Sequence, residues 1–305
     1  MTQTKVEYME PSLVDPASIA RLARECSIEM NVQDARELQQ ARAALSPGKK
    51  IYVSHLPKQT WQQTLDACCE VREAGFNPIP HVPVRLLESE RILDEFLREA
   101  TDRVEVTEIL LISGDYPKAS GPYSAVAEVL RTGKLSEYGL RRVSMAGHPE
   151  GHPKVPLVEI RRAEREKARL AEAAGLQVTL LTQFFFEAPP FLEWAAGMRA
   201  EGVGAGLVAG LAGPASIATL LRYAVRCGVG PSIRALGARP TSLVKLIGDH
   251  GPEKLMRTLA GVPRPDLYDG WHLFTFGGFL RTCEWLKRVG AGEFTLDRHG
   301  GFSVD

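Results

Sequence analysis

The chain lacks an excess of either charge: 37 Lys and Arg stand against 37 Asp and Glu. Such a balance offers neither a basic footprint for nucleic acid nor an acidic solvating segment, so no nucleic-acid partner is expected. Long apolar runs are missing as well. The longest, Val203 to Ala212, is too short and too rich in glycine to span a bilayer, and no membrane association is expected. Met1 to Asp15 is polar and has no apolar core, so no signal peptide is expected. Cysteine is scarce and odd in number: Cys26, Cys68, Cys69, Cys227 and Cys283. No pair has CxxC spacing and Cys68-Cys69 is a poor disulfide, which points to a reduced, cytoplasmic setting. Low-complexity segments are absent.

What is present is alternation. Strand-like apolar runs occur at Cys26–Asn31, Lys50–His55, Asn77–Pro83, Glu105–Ile112, Arg142–Ala146, Gln177–Gln183, Gly204–Ala209 and Trp271–Phe276. Between them lie amphipathic segments such as Asp34–Leu45, Thr60–Ala74, Leu87–Ala100, Val155–Ala174, Pro190–Glu201 and Ser216–Cys227. Alternating strands and helices imply a parallel sheet with right-handed crossovers. Eight such units in 305 residues predict one α/β domain, a closed (β/α)8 barrel, which typically needs about 250 residues. Pro231 to Val262 reads as a helical elaboration before the last strand, and Gly290 to Asp305 as a Gly-rich tail that packs back or stays loose. The charge run Ile160–Arg169 reads as a solvated helix face.

Barrels of this kind bind ligands at the C-terminal ends of their strands. Those ends carry Glu29, His55, His81, Ser113-Gly114-Asp115, Ala146-Gly147-His148-Pro149-Glu150-Gly151-His152, and Gln183. Each has a dull alternative. Glu29 serves equally as a solvated strand residue, although an unpaired charge in an apolar strand is costly and a buried carboxyl with a raised pKa can act as an acid. Asp115 suits a helix cap or turn as well as a site. Taken singly, His55 and His81 are more often structural. Gln183 precedes Phe184-Phe185-Phe186 and suits either a buried aromatic strand end or an amide offered to a flat heterocycle at a barrel mouth. Their recurrence at the same end of successive strands argues for a site.

Two patterns mislead. His148 and His152 have a spacing that suggests zinc, but Pro149, Gly151 and Pro153 make the segment a loop, so no metal is expected. Gly204-Ala205-Gly206-Leu207-Val208-Ala209 matches GxGxxA, yet its glycines fall inside a late strand. They read as packing glycines, and no Rossmann domain is expected.

With these residues assembled, the chain resembles the methylenetetrahydrofolate reductase family over roughly residues 24 to 290. Thr182-Gln183-Phe184-Phe185-Phe186-Glu187 resembles that family's TQ-[FL]-F-[FY]-D strand end, and His148-Pro149-Glu150-Gly151-His152-Pro153 its P-E-x-H-P loop. Ser27-Ile28-Glu29, Pro80-His81, Gly114-Asp115 and Trp271-His272-Leu273-Phe274-Thr275 resemble further family motifs in the same order. The resemblance implies a flavoprotein barrel. NADH or NADPH reduces FAD, and methylenetetrahydrofolate then takes the nicotinamide's place and accepts hydride; one-carbon catabolism would run the reaction in reverse. By position, Glu29 would be the acid that opens the folate's five-membered ring, and Asp115 would bias the flavin's electrostatics. Gln183, with Thr219 and Tyr223, would bind substrate. His55, His81, Ile112, Ser113, Asp115, Tyr123, Ser124, Ala146, His148, His152, Glu164 and Lys167 would hold FAD. A homo-oligomer is expected, and control by adenosylmethionine is not.

The departures from the family pattern are specific. Ser113 replaces an Arg, Met30 and Asn31 replace two aromatics, His55 replaces a Thr, Ala171 replaces a Lys, Thr219 replaces an amide, and Phe276-Gly277-Gly278 replaces Leu-Asn-Arg. They imply a weaker hold on the FAD pyrophosphate. They also motivate a competing reading: a tetrahydrofolate-binding barrel that transfers a methyl group with a partner and without hydride chemistry.

Overall fold

The computed structural model describes residues 10, 13–114, 116–152, 155–226, 252–264 and 266–304. Its strands are β1 (Ser27–Asn31), β2 (Lys50–Ser54), β3 (Asn77–Pro83), β4 (Glu108–Ile112), β5 (Arg142–Gly147), β6 (Gln177–Phe184), β7 (Gly206–Ala212) and β8 (Gly270–Phe274). All pair in parallel and in sequence order, and β8 returns to β1 through Ser27–His272 and Ile28–Leu273, so the sheet closes as a (β/α)8 barrel. The helices are α1 (Pro16–Glu25), α2 (Leu38–Ala41), α3 (Trp61–Glu73), α4 (Glu90–Asp102), α5 (Val126–Arg131), α6 (Lys134–Glu137), α7 (Leu157–Ala173), α8 (Ala188–Ala200), α9 (Ile217–Arg226), α10 (Pro252–Ala260) and α11 (Phe279–Ala291). Side-chain caps start several of them. Asp15 accepts from Ala17 at α1, Thr60 and Gln63 form a capping box at α3, and Ser89 accepts from Ile92 at α4. Each such cap contributes about 1 kcal/mol.

The strands' period of two divides their side chains between two cores. Ile28 and Met30 of β1, Ile51 and Val53 of β2, and Ile109 and Leu111 of β4 join the helices in the larger core. Tyr52, Ile79, Leu110 and Leu181, with Ile112 and Val208 against them, fill the inside of the barrel. Below them Lys50 donates to Glu108 at 2.7 Å, Ser144 Oγ donates to Glu108 at 2.8 Å, and the Tyr52 hydroxyl meets Ser144 Oγ at 2.9 Å. The same parity turns Glu29 inward.

Several expected boundaries move for identifiable reasons. Asp34–Leu45 is not one helix: the Asn31/Asp34 capping box starts a 3-10 turn over Val32–Glu37, which leaves only the short α2. β4 begins at Glu108 rather than Glu105, because Glu105 has φ +56°. β8 ends at Phe274 rather than Phe276, whose φ is +51°. β7 runs on to Ala212, and its packing demand falls on Gly210 rather than on Gly204 or Gly206. A Cβ on Gly210 would overlap the Thr182 carbonyl oxygen and lie 2.8 Å from the Phe274 ring. The tail packs back as a hairpin of β9 (Phe294–Leu296) and β10 (Phe302–Val304), where Phe302 lies 4.7 Å from Phe294 and 6.3 Å from Trp285 of α11. Of the expected helical elaboration, α10 and the two residues after it are described; residues 231–251 lie outside the described residues.

Candidate active site

The C-terminal ends of the strands surround a cavity of about 450 Å³. Glu29 and Asn31 reach it from β1, Ser54 and His55 from the end of β2, His81 from β3, and Ile112 from β4. Ala146 through His152 end β5 and follow it, Thr182 through Phe185 end β6 and follow it, Tyr223 stands on α9, and Phe274 through Gly277 end β8 and follow it. Of the residues expected at a site, the structure therefore gathers Glu29, His55, His81, Ile112, Ala146, His148, His152, Gln183 and Tyr223 around one cavity.

Glu29 is the central group. Its Oε2 lies 3.6 Å from His81 Nε2 and 4.0 Å from His272 Nε2. Neither length makes a hydrogen bond, and both ring nitrogens are buried without another partner. Burial raises the Glu29 pKa to about 7, against a hydrogen bond from Ser54 and with a smaller contribution from Asp34. Burial likewise lowers His81 and His272 to about 3 each, aided by His55 beside His81 and by His81 beside His272. Near neutrality both rings are therefore neutral dipoles, and Glu29 is balanced between acid and carboxylate. The sequence offers His272 only as part of the Trp271–Thr275 motif and gives it no role. Its signal was parity: it pairs with Ser27, two residues before Glu29, and both face the barrel interior.

The mouth is aromatic. Phe184 lies 5.0 Å from Phe276 and 6.0 Å from Phe274, and Tyr223 lies 4.8 Å from Phe276. A β-bulge between Leu181 and Phe184 produces this wall by shifting the register against β7, so that Phe184 pairs with Gly210. The Thr182 hydroxyl accepts from Gly210 N at 2.9 Å and secures the bulge. Gln183 is left exposed at the rim, its Oε1 accepting from Phe184 N at 3.1 Å. A non-glycine residue at positive φ, as Phe276 is, costs energy that such sites often carry.

Other expected residues do not line the cavity. Glu164 is buried on α7 and accepts from His148 N at 2.7 Å, Arg161 at 2.8 Å and Trp194 at 3.1 Å. Burial alone would raise its pKa, but these donors and the nearby Lys167 hold it at about 2. Lys167 donates to the Ala146 carbonyl, and burial lowers it to about 8 despite Glu164. These two residues clamp the end of β5 and the loop after it from behind, and neither lines the cavity. Tyr123 is buried in the core outside the barrel, and Ser124 donates from its N and Oγ to Glu128 in the first turn of α5. Ser113 gives its carbonyl to Arg85 N, and Thr219 pairs with Ser216 at the start of α9. His55 lines the cavity but is held structurally: it stacks on Trp61 at 4.0 Å and meets Thr64 at 2.7 Å. Met30 is in the lining too, but its side chain is fully buried in the core shared with the helices. Asp115 lies outside the described residues.

His148 and His152 fall in a loop with ring centroids 6.3 Å apart, and among the described residues no cluster of metal-ligating side chains is present. No described helix is long and apolar enough to cross a membrane. No family model matches the chain. It is similar to dihydropyrimidinase from Brevibacillus agri NCHU1002, at 10% identity and a TM-score of 0.36 over 57% of this chain and 41% of that one. It is also similar to a muconate lactonizing enzyme, at 18% identity and a TM-score of 0.35 over 59% of this chain and 47% of that one. The matches thus span less than half the length of either solved structure.

Proposed function

We propose that the protein is a flavin-dependent methylenetetrahydrofolate reductase that moves hydride from NADH or NADPH to methylenetetrahydrofolate, or back. The observation that carries this reading is Glu29: a carboxyl inside the barrel, facing a cavity walled by flat aromatic rings, with a pKa of about 7. A protonated Glu29 delivers a proton to the bridged folate and opens its five-membered ring to the iminium that accepts hydride. Gln183, at the rim, supplies an acceptor and donors for the pterin edge, and Tyr223 with Phe184, Phe274 and Phe276 supplies stacking surface.

The cavity fits the ring end of FAD. His81 Nε2 is a buried polar atom without a hydrogen-bond partner, and Ile112 and Ala146 offer apolar faces. His55, His81, Ile112, Ala146 and His148 would hold that ring. When bound, the flavin supplies the hydride chemistry. The phosphate end has less support, because Tyr123 is buried in the outer core, Ser124, Glu164 and Lys167 are engaged elsewhere, and among the described residues the cavity's lining contains no Lys or Arg. That observation favours, as a second reading, a tetrahydrofolate-binding barrel that passes a methyl group to a partner without hydride transfer.

One spectrum separates the two. Purified protein, as isolated or after reconstitution with FAD, is expected to show flavin absorbance that bleaches with NADH or NADPH and returns with methylenetetrahydrofolate. A colourless protein that binds tetrahydrofolate but cannot be reconstituted rejects the first reading and supports the second.

A further inference from the structure

His272 has no part in the cavity lining and is fully buried behind Glu29. Its ring is wedged between Tyr52 at 4.8 Å and Phe274 at 4.7 Å, which fixes its plane. The Tyr52 hydroxyl cannot serve it, being engaged by Ser144 and Glu108. Among the described residues, two polar contacts remain. Ser27 Oγ lies 2.9 Å from Nδ1, and Nε2 lies 4.0 Å from Glu29 Oε2 with no other partner. A buried hydroxyl needs an acceptor, and a neutral imidazole offers one at its unprotonated nitrogen.

The geometry points to Ser27 and His272 as a positioning device for Glu29: the Ser27 hydroxyl donates to His272 Nδ1, the ring proton sits on Nε2, and that N–H is aimed at Oε2. His81 approaches the same oxygen from the cavity side at 3.6 Å. A carboxylic O–H both donates and accepts, so Oε2 can give its proton toward His81 and receive the His272 dipole together. After Glu29 has passed its proton to substrate, the His272 N–H still faces the carboxylate left behind and stabilises it. Among the described residues, the titratable groups around Glu29 and His272 are Asp34 in the turn after β1, Tyr52 from β2, His81 from β3, and His55 beside His81. His272 is a positioning residue, since it acts only through Glu29. Its catalytic consequence rests on the role proposed for Glu29, whereas its geometry does not.

The test begins with the unsubstituted protein. Nitrogen-15 NMR of labelled histidines is expected to find His272 protonated at Nε2; protonation at Nδ1 overturns the device. Glutamate carboxyl carbon-13 resonances then report Glu29 directly, assigned by the signal lost in Glu29→Gln and titrated from below to above neutrality. Ser27→Ala and His272→Phe each remove the aimed dipole and should raise the Glu29 titration point by about half a pH unit or more, roughly threefold in the ionisation constant. Ser27→Thr keeps the hydroxyl and should restore the original value. The double variant should match His272→Phe alone, because Ser27 works through the ring. An unmoved titration, or shifts that add, overturns the inference. If His272→Phe does not fold, the tautomer and Ser27→Ala decide alone. A Glu29 that responds as described in a protein without folate chemistry rejects the proposed function and leaves the device standing; an indifferent Glu29 in an active reductase does the reverse.

Discussion

Glu29 shows how one position can unite chemistry and stability. Its interior placement keeps a proton on the carboxyl at a pH where an ordinary glutamate has lost it. Glu29→Gln removes the proton but preserves the shape. It is expected to leave nicotinamide-driven flavin reduction nearly intact while slowing folate reduction by about a hundredfold or more, read by stopped-flow on each half-reaction. Equal losses in both would remove the acid role. A second consequence concerns stability. Because the folded-state pKa is raised from 4.5 to about 7, the folded protein binds the extra proton between those values. The stabilisation relative to Glu29→Gln is complete below the unfolded value and is lost as pH rises through about 7. Urea denaturation of both proteins should show this difference shrinking with pH, by at most about 3 kcal/mol. A difference independent of pH would mean that Glu29 is not protonated in the folded state.

At the scale of elements, two local devices build the mouth. The bulge at the end of β6 requires Gly210 opposite it, where a side chain would collide with the Thr182 carbonyl. Gly210→Ala should therefore cost about 1–3 kcal/mol by thermal or chemical denaturation and disturb the aromatic wall. A neutral result would show that β7 yields easily there. The second device is the clamp from α7. Glu164 takes hydrogen bonds from the His148 amide, Arg161 and Trp194, and Arg161 also donates to the carbonyls of His148 and Pro149. Glu164→Ala leaves these donors unpaired and should cost about 3 kcal/mol, with faster amide exchange in the loop after β5. Unchanged exchange would show that the loop holds itself.

The closed barrel brings eight strand ends to one rim, and only this global closure lets β1, β3 and β8 share a carboxyl between two imidazoles. Ligand binding at that rim should stabilise the whole fold. Tetrahydrofolate at about 100 times its dissociation constant is expected to add about 2.7 kcal/mol and raise the midpoint of thermal unfolding. Folate binds in both functional readings, so a thermal midpoint indifferent to tetrahydrofolate would sink them together. FAD separates them, since it should stabilise the protein only in the hydride-transfer reading.

The alternation of apolar strands with amphipathic helices was enough, by itself, to determine a closed barrel, because each pattern has one way to bury its apolar side. It also placed Glu29, His55, His81, Ala146, His148 and Gln183 at strand ends, where parallel topology gathers them. It could not say which way a side chain faces in the layers beyond. Tyr123, Ser124, Glu164 and Lys167 follow the right strands, yet packing turns them into the outer core, a hydrogen bond at the start of a helix and a loop clamp. Only the tertiary structure set His272 of the last strand's motif beside Ser27 and Glu29, because that contact depends on a ring closing between the first and last strands, 245 residues apart. Local pattern determines what a segment must bury; which polar groups then meet is decided by closure and register, which no local stretch contains.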